Sequence, residues 1–462
     1  MNRGGGMSFL RDYYGTSAPV PRMEGGPEQV ERRYKRLRLQ TFVAATLGYS
    51  MYYVCRTSLN VMKKPILDSG LFDASQLGVI GSALLFTYAV GKLVNGFLAD
   101  YCNIRRFMAT GLIISLLINA LMGMLGIAHS VVPALVMYVV FVLIWGVNGW
   151  AQSMGAPPAI ISLSRWFPLK ERGTYYGFFS ASHNLGEFFS FLFVGAIVSL
   201  AGWKAGFFGS AVAGCFGVIV IRFWMHDTPE ACGLPAVKVL ARESRSDTEN
   251  RSVREIQRQV LKTPAVWVLA AASAFMYIAR YAINGWGVLF LQEAKGFSDA
   301  EAISIVSINA LLGIFGTVLS GWFSDRLFRG DRRMPALIFG MLNSVSLSLF
   351  LYGGNSIWVN MLSMVLFGIS IGVLICFLGG LMAVDIVPRK ATGAALGVVG
   401  IASYVAAGIQ DVISGWLIDT HAVLSVDGSL QYDFVPAGIF WLGASIVSFL
   451  LPLLNKKKTD YE

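Results

Sequence analysis

Charge is scarce in this sequence. Only 14% of its 462 residues are Asp, Glu, Lys or Arg, where a soluble domain carries about 25%. That shortfall excludes an ordinary cytoplasmic enzyme and a disordered chain. Cysteine is also sparse: Cys55, Cys102, Cys215, Cys232 and Cys376 are odd in number, scattered and without a CxxC pair. A secreted disulfide scaffold is excluded, and no metal or other cofactor is expected. Histidine occurs four times. No nucleotide-binding motif is present, and no signal peptide is expected at the start, where a polar segment ends in Arg32, Arg33, Lys35, Arg36 and Arg38.

What fills the chain instead is apolar. Hydrophobic residues make up 55%, and the mean hydropathy is +0.60. A helix needs about 20 mostly apolar residues to cross a bilayer. Six such stretches precede residue 226, at roughly 39–62, 76–98, 107–128, 133–163, 174–200 and 203–225. Six more follow, at roughly 264–292, 301–323, 335–353, 357–384, 392–418 and 434–454. The expected fold is therefore an all-α membrane protein with 12 transmembrane helices in two six-helix halves. Its parts are a basic segment at 1–38, a first half at 39–225, a central loop at 226–263, a second half at 264–454 and a tail at 455–462.

Charge placement supports this division. The net charge of +10 could suggest nucleic acid in a soluble protein. Here 29 of the 37 Lys and Arg fall on the side of the N-terminus. Lys63, Lys64, Lys204 and Lys295 fall in the opposite loops, and Arg56, Lys92, Arg222 and Arg280 lie within spans. This is the positive-inside pattern, so both termini are expected in the cytoplasm, the lipid bilayer is the expected environment and no nucleic acid is required. In the central loop, Val253, Ile256 and Val260 have helical spacing in a basic segment, which predicts an amphipathic helix on the inner membrane face.

The halves repeat one another. Gly96-Phe97-Leu98-Ala99-Asp100 is followed by Arg105-Arg106; Gly321-Trp322-Phe323-Ser324-Asp325 is followed by Arg332-Arg333. Pro168 to Gly173 is echoed by Pro388 to Gly393, and Arg56 by Arg280. The carboxylates Asp100 and Asp325, with the arginines beside them, are read as a latch that holds one conformation. Arg56 and Arg280 lie about 25 Å along the first helix of each half, at 1.5 Å per residue. Ionisable groups at that depth are functional sites by default. Two guanidiniums facing across a cavity suit a dianion, because the planar fork binds phosphate oxygens in pairs.

The repeated Gly-x-x-x-Asp…Arg-Arg element resembles the loop motif of the major facilitator superfamily. A narrower likeness covers nearly the whole chain after residue 30. Gly48 to Arg56, the Gly149 to Pro158 segment with Gln152, Arg172-Gly173 followed by His183 to Gly186, and Tyr277 to Trp286 are similar to motifs of the organophosphate:phosphate antiporter family. That family includes glycerol-3-phosphate and hexose-6-phosphate carriers and a membrane sensor of sugar phosphate. The resemblance implies that Arg56 and Arg280 hold the substrate phosphate and that His183 lies beside them. The chain departs from the family motifs at Thr57, Phe179-Ser180, Glu187 and Gly285.

Other residues complete the expected site. Lys92 and Tyr88 are four apart, on one face of span 2. Gln152 and Trp286 come from the motif segments. The intramembrane carboxylates are Glu187, expected to pair with a histidine or arginine, and Asp411, expected to pair with Lys92. The expected activity is not enzymatic: a monomeric secondary transporter of the bacterial inner (plasma) membrane exchanging a sugar phosphate for inorganic phosphate. A sensor acting through a partner kinase, and a proton-coupled organic-anion carrier using Glu187 or Asp411, remain as alternatives.

Overall fold

The computed structural model describes residues 13–23, 25–128, 131–237, 261–327, 333–382, 386, 392–424 and 430–454. The predicted amphipathic helix at 253–260, Arg332 and the tail lie outside them. Helix α1 (Pro27–Asp68) starts on Pro27, whose fixed φ suits a first helical turn. Helix α2 (Ala74–Asp100) opens with a reciprocal capping box between Asp73 and Gln76. Helix α3 (Ile104–Ile127) is capped by Asn103, which accepts from the Arg106 amide.

The fourth span is two helices, α4 (Ala134–Gln152) and α5 (Ala156–Trp166). They part just before Pro157 and Pro158, which cannot donate to the preceding turn. The fifth span is likewise segmented into α6 (Leu169–Ser180), α7 (Ser182–Phe189), a π-turn (Ser190–Val194) and the start of α8 (Gly195–Trp224). Helix α8 turns back at Gly202, whose φ of +79° is open to glycine and strained for other residues. The second half follows as α9 (Pro264–Glu293), α10 (Asp299–Leu327), α11 (Arg333–Tyr352), α12 (Ile357–Cys376) with a π-turn (Phe377–Leu381), α13 (Thr392–Thr420) and α14 (Val435–Leu450). A short antiparallel hairpin, β1 (Ala422–Leu424) with β2 (Leu430–Tyr432), joins the last two.

Among the described residues, ten helices are long and apolar enough to cross a membrane by composition. One of these, Tyr175–Trp224, is 50 residues long and supplies two crossings across the Gly202 turn. Helix α1 is the twelfth; Arg56, Lys63 and its tyrosines dilute its apolar character. The halves meet along α2 against α13, α7 against α10, and α1 against α9. These contacts carry spans 2, 5, 8 and 11 to the seam, and spans 1 and 7 to its centre.

Candidate functional site

Arg56 on α1 and Arg280 on α9 are both buried, 5% and 3% exposed. They come together at Tyr281. Arg56 Nη2 donates to the Tyr281 hydroxyl at 3.0 Å, and the Arg280 guanidinium lies 5.7 Å from the same ring. Around Arg56 the neighbours are aromatic: Tyr88 at 4.2 Å, Tyr53 at 5.3 Å and Tyr404 at 5.3 Å from the guanidinium carbon. Cation–π attraction holds the group without cancelling its charge. Among the described residues no carboxylate lies within 4 Å of it.

Arg280 is held differently. Its Nη2 donates to Glu187 Oε1 at 3.2 Å, and Asn284 Nδ2 donates to the same oxygen at 3.1 Å. The expected pairing of Glu187 with an arginine is thus found. Helix α7 brings Glu187 across the seam to α9, so one of the two arginines carries a carboxylate partner. His183, one turn earlier on α7, lies 5.8 Å from the Tyr53 ring. Its Nε2 is buried with no hydrogen-bond partner among the described residues.

Lys92 does not pair with Asp411. Its Nζ lies 5.2 Å from the Tyr404 ring, nearer the end of α2. The partner of Asp411 is Lys63, at 3.0 Å, with Trp286 Nε1 donating to the same carboxylate oxygen at 2.6 Å and the Lys63 ammonium 3.4 Å from the Trp286 ring. The physical reason is length. Helix α1 continues past residue 62, which carries Lys63 into the protein, where it is fully buried. Gly81 makes the room: a Cβ there would stand 1.9 Å from Asp411 Oδ2. Trp286 therefore belongs to this ion pair, about 9 Å beyond Arg280 along α9 at 1.5 Å per residue.

Gln152 is also placed elsewhere than expected. It is buried and donates to Ser115 Oγ at 2.7 Å. Ser115 in turn donates to Asn148, and Asn119 and Asn148 donate to the Cys55 carbonyl. This network lies behind Arg56 and fixes the backbone of α1 against α3 and α4. A small cavity, apolar over much of its wall and with Arg56, Asn60, Glu187, Tyr281, Asn284 and Asp411 as its main polar lining, joins the Arg56 side of the site to the Lys63–Asp411 pair.

Among the described residues, the hydrogen bonds and ion pairs between the halves include Arg56–Tyr281, Glu187–Arg280, Glu187–Asn284, Lys63–Asp411 and Lys64–Glu293. These lie at the level of the arginines or farther from the basic face, where α1 begins, while the Lys92 contact with the Tyr404 ring lies nearer that face. Three of the four cations expected in the opposite loops are engaged: Lys63 and Lys64 in these pairs, and Lys295 in bonds to the Phe350 and Gly354 carbonyls and Asn360. Burial pushes the Lys295 ammonium down to about 8.

At the basic face, Asp100, Arg105, Arg106 and Arg333 are the described members of the expected latch. Arg106 donates to the Tyr13 carbonyl at 2.6 Å, and the Asp100 carbonyl accepts from Arg165. Among the described residues, carboxylates that pair with arginines here are Glu171, with Arg38 at 3.0 Å, and Asp227. Asp227 is the more buried of the two. It bonds Arg165 and accepts from the amides of Ser17, at 2.7 Å, and Ile104, at 3.1 Å. Arg105 sits on the same first turn of α3. This cluster stays within the first half and straps residues 13–17 to it. Arg333 starts α11, and the side chain of Asp325 lies outside the described residues.

Sequence reasoning missed Lys63, Tyr404, Asn284 and Asp227. For Lys63 a signal existed: small residues at Gly81 and Gly285 bracket the space a buried carboxylate on span 11 requires.

Twelve membrane crossings in two pseudosymmetric halves around a buried basic seam define a multi-pass membrane transporter. The family model of the Major Facilitator Superfamily matches residues 45–410. A probable hexose phosphate transport protein of Chlamydia muridarum is 34% identical over 402 residues, covering 82% of this chain and 84% of its own. The membrane sensor protein UhpC of Salmonella typhimurium is 31% identical over 451 residues, covering 92% and 94%. A solved bacterial homologue of the human lysosomal transporter Spinster, inward-facing and unoccupied, shares the fold with a TM-score of 0.69 at 17% identity, over 91% of this chain and 95% of that one. The chain belongs to the major facilitator superfamily and, within it, to the organophosphate:phosphate antiporter family; it is a transporter-family protein and not an enzyme.

Proposed function

We propose that this protein exchanges a sugar phosphate, hexose-6-phosphate or glycerol-3-phosphate, for inorganic phosphate by alternating access across a bacterial inner membrane, with both termini cytoplasmic. The observation that carries the reading is the convergence of Arg56 and Arg280, one from each half, on Tyr281 at the seam. A phosphate between them draws both halves together. Its oxygens suit guanidinium forks; Tyr88 and Tyr404 flank Arg56, Lys92 lies against Tyr404, and His183 lies against Tyr53. The ties on the side away from the basic face fit a state closed there, and the cavity would open to that side when Lys63–Asp411 and Lys64–Glu293 part.

The test is uptake by the purified protein in liposomes loaded with phosphate. The panel is glucose-6-phosphate, glycerol-3-phosphate, phosphoglycerate and phosphate alone. Saturable uptake of a sugar phosphate against internal phosphate is the expected result. The 31% identity to a membrane sensor favours a second reading, in which the same site binds the ligand and signals to a partner kinase. Binding with no uptake would establish that reading and overturn the first.

A further inference from the structure

We infer that Glu187 is an internal stand-in for the substrate's phosphate, a residue that sets both anion affinity and how strictly transport depends on a counter-substrate. The inference rests on the phosphate reading above. Glu187 and Arg280 are each 4% exposed at the side chain, and their contact spans the seam between α7 and α9. Glu187 lines the same cavity as Arg56. Asn284 donates to the Glu187 oxygen that Arg280 also binds, so the carboxylate is aimed at the arginine by a second donor. A phosphate that takes Arg280 must compete with this carboxylate.

Two consequences follow from electrostatics. First, part of the binding energy of each phosphate is spent in displacing Glu187, which weakens affinity relative to a site with two free arginines. Second, the protein carries its own counter-charge when no substrate is bound. Unneutralised cations in a low-dielectric cavity repel as the halves close. Glu187 offsets Arg280 during that step, leaving Arg56 as the uncompensated buried charge. The unloaded carrier then reorients, and uptake proceeds without phosphate on the far side, slower than exchange.

The test compares the full chain with Glu187→Gln and Glu187→Asp, using radiolabelled inorganic phosphate as probe. Equilibrium binding is measured in detergent, and uptake is measured into vesicles with and without internal phosphate. Glu187→Gln is expected to bind phosphate about tenfold more tightly, the effect of removing one competing charge-assisted hydrogen bond. Its ratio of uptake without internal phosphate to uptake with it should fall about tenfold, while Glu187→Asp stays near the wild-type ratio. Equal or weaker phosphate binding by Glu187→Gln overturns the inference and marks Glu187 as structural. If Glu187→Gln does not fold, the wild type alone decides: no uptake into phosphate-free vesicles overturns the inference. Failure of every protein to bind phosphate would overturn the phosphate reading as well, which separates the two failures.

Discussion

Arg56 is held by phenol rings and one hydroxyl; Arg280, at the matching place in the other half, is held by a carboxylate and an asparagine that steadies it. The helices that carry them are equivalent by repeat, and both guanidiniums are buried. The difference lies in what their neighbours do to the charge. Aromatic faces stabilise a cation while leaving it positive. A carboxylate cancels it, and the pair is stable only while both members are present. Pseudosymmetry therefore places the two arginines but does not make them interchangeable. Under the proposed function, one is a standing anion receptor, and the other is a receptor guarded by its own counter-ion.

The largest expected effect separates them by stability. Arg280→Gln leaves Glu187 as an uncompensated buried charge, which costs about 3–5 kcal/mol. Arg56→Gln removes a cation whose neighbours are neutral, so it should lower transport with a much smaller fall in thermal stability. Melting of the purified variants in one detergent reads the difference. Adding Glu187→Gln to Arg280→Gln should restore most of the lost stability and none of the transport. Equal destabilisation by the two arginine changes would break the comparison.

Next in size is the loss of the guanidinium fork with the charge kept. Arg56→Lys and Arg280→Lys each retain a cation and lose paired hydrogen bonds worth about 1.5–3 kcal/mol each. Exchange should fall by about tenfold to a hundredfold or more in each case. Phosphate exchange at wild-type rate by either variant would sink the receptor role of that arginine.

A smaller effect concerns the cavity's far end. Gly81→Ala forces a methyl group against Asp411, since the added carbon would stand 1.9 Å from its free oxygen. Overpacking of that kind costs about 1–3 kcal/mol. It should lower the melting point and impede closure of the side away from the basic face. An unchanged melting point would show that Asp411 can turn away, and that the Lys63 pair is loosely held.

Much of this architecture was legible in the sequence. Span count follows from hydropathy, because lipid demands long apolar helices whatever they pack against. The two halves follow from repeated motifs, and Arg56 and Arg280 from the cost of charge at depth. The pairings were less legible. Lys63 stands one residue beyond an apolar stretch and so resembles a loop cation; only the continuation of α1 buries it. Tyr404 resembles any packing aromatic until α13 places it against Tyr88, 4.6 Å between ring centres. Gln152 belongs to a motif segment yet faces α3, since helical periodicity fixes a residue's face and leaves open which neighbour that face meets. Asp227 follows the sixth span and looks like a linker acid; its three partners come from the N-terminal segment, α3 and α5. Gln152 apart, each missed contact joins elements that are not neighbours in the chain.

The smallest expected effect is also the sharpest discriminator between the expected and observed partners of Asp411. Residues in contact couple by about 0.5–3 kcal/mol in a double-mutant cycle, whereas separated residues add to within about 0.3–0.5 kcal/mol. Lys63→Met with Asp411→Asn should therefore couple clearly. Lys92→Met with Asp411→Asn should be additive, because Lys92 lies against Tyr404 while Asp411 is bound by Lys63 and Trp286. Thermal melting of the four proteins in each cycle gives both numbers in one detergent. Coupling confined to the Lys92 cycle would return Asp411 to the arginine site as a neutraliser of substrate-facing charge. Coupling confined to the Lys63 cycle keeps the two regions of the cavity distinct. Arg280 then has the substrate-facing counter-ion, Arg56 has none, and the carboxylate beyond them works in closure.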